Sequence, residues 1–152
     1  MQVLYQPIFE LASRRCVGAE ALVRWHHPQV GMVPPGDFIG LAEETGLIAP
    51  MGEFVLRQAC WQACEWQRQG LAPIRVSVNL SVYQLRQGKL VSLVRQVLEE
   101  SGLAPHLLEL ELTESSLMDD SENVLTMLQD LRSRGIEISL DDFGTGYSAL
   151  GY

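Results

Sequence analysis

Three short apolar runs are separated by two longer segments of helical period, and this alternation constrains the fold more than any other feature. The runs are Arg75–Leu80 (RVSVNL), Leu107–Leu112 (LLELEL) and Ile136–Leu140 (IEISL). Between them lie Leu90–Glu100, stopped by Ser101-Gly102, and Glu122–Arg134, stopped by Gly135. Apolar and polar residues alternate at period two in the runs, as in strands, whereas glycine ends each helical segment. Strand, helix, strand, helix, strand in that order predicts a parallel sheet with right-handed crossovers.

The first part of the chain reads differently. Val3–Phe9 and Cys16–Trp25 are two strand-like runs joined only by ELASRR, which predicts an antiparallel pair. Pro7 stands near the middle of the first run and makes its pairing doubtful there. A loop rich in Pro and Gly follows (HHPQVGMVPPG), in which His26 and His27 read as a solvated pair. Asp37 reads as a helix cap before FIGLAEETG. Phe54–Gln69 carries Val55, Leu56, Ala59, Cys60, Ala63 and Trp66 as one helical stripe, ended by Gly70. Trp25, Trp61 and Trp66 read as packing residues. No internal repeat, low-complexity tract or linker divides the chain.

Charge and composition narrow the function. The 152 residues are 47% hydrophobic and 20% charged, the balance of a globular domain or part of one. The net charge is −8, and only 11 Lys and Arg are spread along the chain, which argues against binding a nucleic acid polymer. A small anionic ligand remains compatible if a metal supplies positive charge. Cys60 and Cys64 lie four apart on one helical face; two thiols do not make a zinc site and read as core residues. An odd cysteine count of three suits a reducing, cytoplasmic compartment. No apolar run approaches the roughly 18 residues of a membrane span, and the N-terminus lacks the basic start of a signal peptide.

In parallel α/β folds, sites form at the carboxyl ends of the strands. The second expected strand carries Glu20 and Arg24 and the third Asn79. The fourth carries Glu111, with Glu114 just beyond, and the fifth Asp141 and Asp142. Adjacent like charges repel unless something positive lies beside them. Oxygen ligands of this kind suit Mg²⁺, Mn²⁺ or Ca²⁺, and two neighbouring aspartates can hold two ions close together. Taken singly these residues have simpler readings. An aspartate at a strand end is most often a turn former, Asn79 a loop residue, and Glu111 alternates with Glu109 so that one acid can face solvent. Their joint placement carries the signal. DFG at 142–144 lacks the other protein-kinase motifs, and GTGYSA at 144–149 matches a dinucleotide loop without the helix, strand and acid that would confirm it.

Six segments in order resemble the EAL-domain family of cyclic di-GMP phosphodiesterases: YQPIF (5–9), EALVRW (20–25), PPGDFIGLAEETGLI (34–48), SVNLS (77–81), ELTES (111–115) and DDFGTGYSAL (141–150). The resemblance implies a (β/α)₈ TIM-type barrel with an antiparallel first strand. It implies hydrolysis of cyclic di-GMP to linear pGpG with two Mg²⁺ or Mn²⁺ ions. Glu20, Asn79, Glu111, Asp141 and Asp142 match the family's metal ligands, with Glu20, Asp141 and Asp142 as the catalytic carboxylates. Arg24 matches the arginine that meets a substrate phosphate. Gln6, Leu22 and Asn79 match ligand-lining positions, and Glu114 the glutamate that steadies the loop after the fifth strand.

Such a barrel needs about 250 residues. Residues 1–152 are therefore expected to be the N-terminal portion of one EAL domain, truncated after about five strands, with a later lysine and glutamate of the family's site beyond Tyr152. The family's habits imply pairing through the barrel and fusion to sensory or GGDEF domains. Two alternatives stand beside phosphodiesterase activity: a module that binds cyclic di-GMP without cutting it, and another metal-dependent barrel enzyme.

Overall fold

The computed structural model describes residues 1–113 and 121–141. The strands are β1 (Gln2–Phe9), β2 (Cys16–His27), β3 (Gly31–Val33), β4 (Arg75–Leu80), β5 (Leu108–Thr113) and β6 (Glu137–Asp141). The helices are α1 (Pro35–Glu44), α2 (Ile48–Arg68), α3 (Val82–Arg86), α4 (Leu90–Ser101) and α5 (Ser121–Ser133). The sheet runs β1-β2-β4-β5-β6, with β3 paired to β2 off this path. β1 is antiparallel to β2, and every later step along the path is parallel, as the sequence predicts.

Period-two geometry gives the sheet two unlike faces. Ala19, Ala21, Val76, Val78, Leu80, Leu108, Leu110 and Leu112 are buried on the helix side. All of these but Ala19 meet Val55, Leu56, Ala59, Cys60 and Ala63 of α2, Val94 and Val97 of α4, and Leu128 and Leu131 of α5 in one core. The opposite face, which would line a barrel, carries Gln6, Glu20, Leu22, Arg24, Ser77, Asn79, Glu109 and Glu111. Buried leucines of this kind each stabilise the fold by about 1.5–3 kcal/mol.

Several local expectations are corrected. Pro7 does not interrupt β1, which pairs with β2 throughout, Pro7 opposite Ala19. β1 pairs on one side with β2 among the described residues. His26 and His27 are not loop residues: they end β2, opposite Met32 and Gly31 of β3. His27 Nδ1 accepts the N–H groups of Gln29 (3.2 Å) and Val30 (3.3 Å) and so shapes that hairpin turn. Asp37 does not cap α1. Pro34 occupies the cap, Pro35 opens the helix, and Asp37 lies in the first turn, where its charge suits the helix dipole. α2 begins at Ile48 and not at Phe54, because Pro50 is tolerated in a first turn. Trp25 and Trp66 pack edge-on against Phe38 and Tyr5, with ring centroids 5.8 Å and 5.1 Å apart, whereas Trp61 is 43% exposed.

Cys60 and Cys64 are buried free thiols, as the helical stripe predicts. Burial pushes the Cys60 thiol from 9.0 up to about 12, with Cys64 adding to the shift. Burial likewise pushes Tyr5 from 10.0 to about 12. The native state keeps protons that the unfolded chain releases above pH 9. These two groups therefore leave stability unchanged below that pH and lower it as pH rises towards 12. Urea midpoints measured from pH 7 to 11 are expected to decline above pH 9, and Cys60→Ala to flatten the decline; a flat wild-type profile would contradict this. No helix among the described residues is long and apolar enough to cross a membrane.

Candidate active site

The strand register assembles the candidate ligands. Glu20 of β2 lies beside Ser77 of β4, and Asn79 is the next residue on that same face. Asn79 lies level with Glu111 of β5, and Thr113 level with Asp141 of β6. The site thus steps along the strands as it crosses the sheet, the stagger that tilted barrel strands require. Gln6 of β1 stands directly opposite Glu20, and Leu4 opposite Leu22. In an antiparallel pair such neighbours have Cβ atoms about 5 Å apart.

One hydrogen bond defines the centre. Asn79 Nδ2 donates to Glu20 Oε1 at 2.8 Å, across residues far apart in the chain. An amide that gives its nitrogen to a carboxylate keeps its carbonyl oxygen Oδ1 as an acceptor. Glu20, Asn79 and Glu111 therefore offer hard oxygen donors on one face, the donor set that suits Mg²⁺ or Mn²⁺. Among the described residues no group of three His, Cys, Asp or Glu converges to hold an ion. An amide, Asn79, stands between Glu20 and Glu111 on this face. Asp142 and Glu114 lie outside the described residues, as do the 142–144 and 144–149 motifs; Asp141 is placed by its backbone pairing in β6.

Lower on the same face, Glu109 accepts hydrogen bonds from Arg75 (3.3 Å) and Ser77 (3.4 Å). Both Glu109 and Glu111 are half-buried on the ligand-bearing side, so the idea that one of them simply faces solvent is not met. Beside the rim lies a cavity of about 510 Å³ between the ends of β2 and β4 and helices α1 and α2. Leu22, Arg24 and Asn79 line it, together with Glu43, Ser81 and Gln84. Half-buried Arg24 donates from Nη1 to the carbonyl of Val23 at 2.9 Å. Glu43, Ser81 and Gln84 were missed by reading strand ends alone. The signal for the last two was present: S-x-x-Q directly after an apolar strand is a capping-box pattern.

The EAL domain family model matches residues 1–152, and the chain belongs to that family. It is 47% identical over 148 residues to the bifunctional diguanylate cyclase/cyclic di-GMP phosphodiesterase MucR of Pseudomonas aeruginosa, covering 97% of this chain and 22% of that protein. It is 44% identical over 152 residues to the cyclic di-GMP phosphodiesterase NbdA of the same organism, covering 100% of this chain and 19% of that protein. Its fold matches the MucR phosphodiesterase solved as a cyclic di-GMP complex, with a TM-score of 0.91 and 45% identity over 97% of this chain and 60% of that one. The chain spans about a fifth of the length of MucR, NbdA and several other relatives that it matches. Its sheet is thus part of an EAL barrel, with the antiparallel first strand that the sequence predicts.

Proposed function

We propose that these residues form the N-terminal portion of the barrel of a cyclic di-GMP phosphodiesterase that opens one phosphodiester bond to give linear pGpG. The observation that carries this reading is the Asn79–Glu20 hydrogen bond on the barrel-lining face, with Glu111 level beside it. The names of MucR and NbdA supply the substrate class.

In this reading Glu20, Asn79, Glu111 and Asp141 would hold one divalent ion, and Asp142 would supply the carboxylate for a second. Bound Mg²⁺ or Mn²⁺ offsets charge on the phosphoryl oxygens and makes water nucleophilic near neutral pH. The protein's own part is positioning. The Asn79 amide fixes one oxygen of Glu20. Arg24, at the cavity wall, meets a phosphate with the fork geometry that a guanidinium offers. Leu22 lines the cavity and Gln6 stands opposite Glu20, where they would flank the ligand, and Glu114 is the residue that would steady the loop following β5. A dianionic substrate is thereby accepted by an acidic rim. Pairing through the barrel, attachment to sensory or cyclase domains and a cytoplasmic setting belong to the same reading.

The test is hydrolysis of cyclic di-GMP by the full-length protein with Mg²⁺, with Mn²⁺ and with excess chelator, read by chromatography. The expected result is pGpG with either ion and none with chelator. Tight binding of cyclic di-GMP without cleavage under all three conditions would replace this reading with that of a binding module.

A further inference from the structure

A glycine inside a helix is unfavourable relative to alanine, yet α2 carries Gly52 in its second turn, and that residue is buried. Its neighbour explains it. A Cβ on Gly52 would lie 2.0 Å from Gln84 Nε2, 2.6 Å from Gln84 Cδ and 2.9 Å from Gln84 Oε1. The carboxamide of Gln84 therefore fills the space where a Cβ on Gly52 would stand, its Nε2 nearest, and Gln84 is only 8% exposed.

That carboxamide holds the turn after β4. Gln84 Oε1 accepts the N–H of Ser81 at 3.1 Å, while Ser81 Oγ accepts the N–H of Gln84 at 3.3 Å. This closes a capping box on α3, a helix of five residues that is too short to be stable by itself. Ser81 follows Asn79 by one intervening residue, the buried Leu80. Gly52, Asn79, Ser81 and Gln84 all line the 510 Å³ cavity beside Arg24.

We propose that Gln84, seated on Gly52, is a positioning residue for Asn79. It holds the backbone at the end of β4 so that Asn79 gives Nδ2 to Glu20 and keeps Oδ1 for a divalent cation. This rests on the cation site proposed above. Groups that orient a metal ligand typically change metal affinity by about 10- to 100-fold when removed.

The test measures Mn²⁺ binding to the full-length protein without substrate, from the electron paramagnetic resonance signal of free Mn²⁺, beside the melting temperature without metal. Gln84→Ala is expected to weaken Mn²⁺ binding at least about tenfold, and Gly52→Ala to do the same by expelling the carboxamide. The double variant is expected to bind no more weakly than the weaker single, because both changes break one contact. Should Gly52→Ala fail to fold, Gln84→Ala alone decides. Unchanged Mn²⁺ affinity in Gln84→Ala, with a lowered melting temperature, would reduce Gln84 to a helix cap and overturn the proposal. Losses that simply add in the double variant would also overturn it. A wild-type protein that binds no Mn²⁺ would overturn this inference and the cation site together.

Discussion

Glu20→Ala in the full-length protein is expected to lower cyclic di-GMP hydrolysis by about a thousandfold or more, because in the proposed reading several kcal/mol of charge stabilisation depend on a divalent ion that Glu20 would hold, and each 1.36 kcal/mol is tenfold in rate. Glu20 is half-buried at the centre of the site and is the acceptor for Asn79. Glu20→Gln separates its two roles. The amide oxygen can still accept from Asn79 Nδ2, but it carries no charge, so the loss is expected to be nearly as large. Neither change empties the core, which lies on the other face of the sheet, so melting temperatures should move little. The measurement is the rate of pGpG appearance beside a thermal melt of each variant. Retention of more than a tenth of the wild-type rate by Glu20→Ala would remove Glu20 from the site.

The second large effect is on stability. Leu110→Ala is expected to cost about 2–5 kcal/mol, the range for emptying a leucine site in a packed core. Leu110 is 0% exposed on β5, between Val78 of β4 and Ile138 of β6. Its neighbours come from strands paired on both sides, so they cannot collapse into the space without breaking the sheet. Against a usual total of about 5–15 kcal/mol this is a large share. The contrast is Trp61→Ala on α2: the larger side chain is 43% exposed, and its removal should change stability far less. Urea midpoints for the two variants test this; a Trp61→Ala loss equal to that of Leu110→Ala would contradict the assignment of the core.

Much of this is legible in the chain because it depends on local order. Period-two runs separated by helices terminated with glycine specify a parallel sheet, and the short link ELASRR specifies the antiparallel start. The same period places Glu20 on one face of β2 and Ala19 and Ala21 on the other, so ligand-bearing and core residues separate by parity alone. The helical stripe identified Cys60 and Cys64 as buried for the same reason.

What failed in the reading failed where a residue's state depends on a distant partner. His26 and His27 look like loop residues until Gly31–Val33 folds back to pair with them. Pro7 looks like a break until it is seen to stand in register opposite Ala19 of β2. Trp61 continues no buried stripe, yet its size alone suggests packing.

From the sequence by itself, then, come the family, the strand order and the residue types that suit a divalent cation. Only the tertiary structure decides that Asn79 turns its nitrogen to Glu20 and that Gly52 makes room for Gln84. The physical reason is that side-chain alternation is a property of neighbours along the chain, whereas a hydrogen bond across strands or a missing Cβ against a carboxamide exists only once separate elements have packed together.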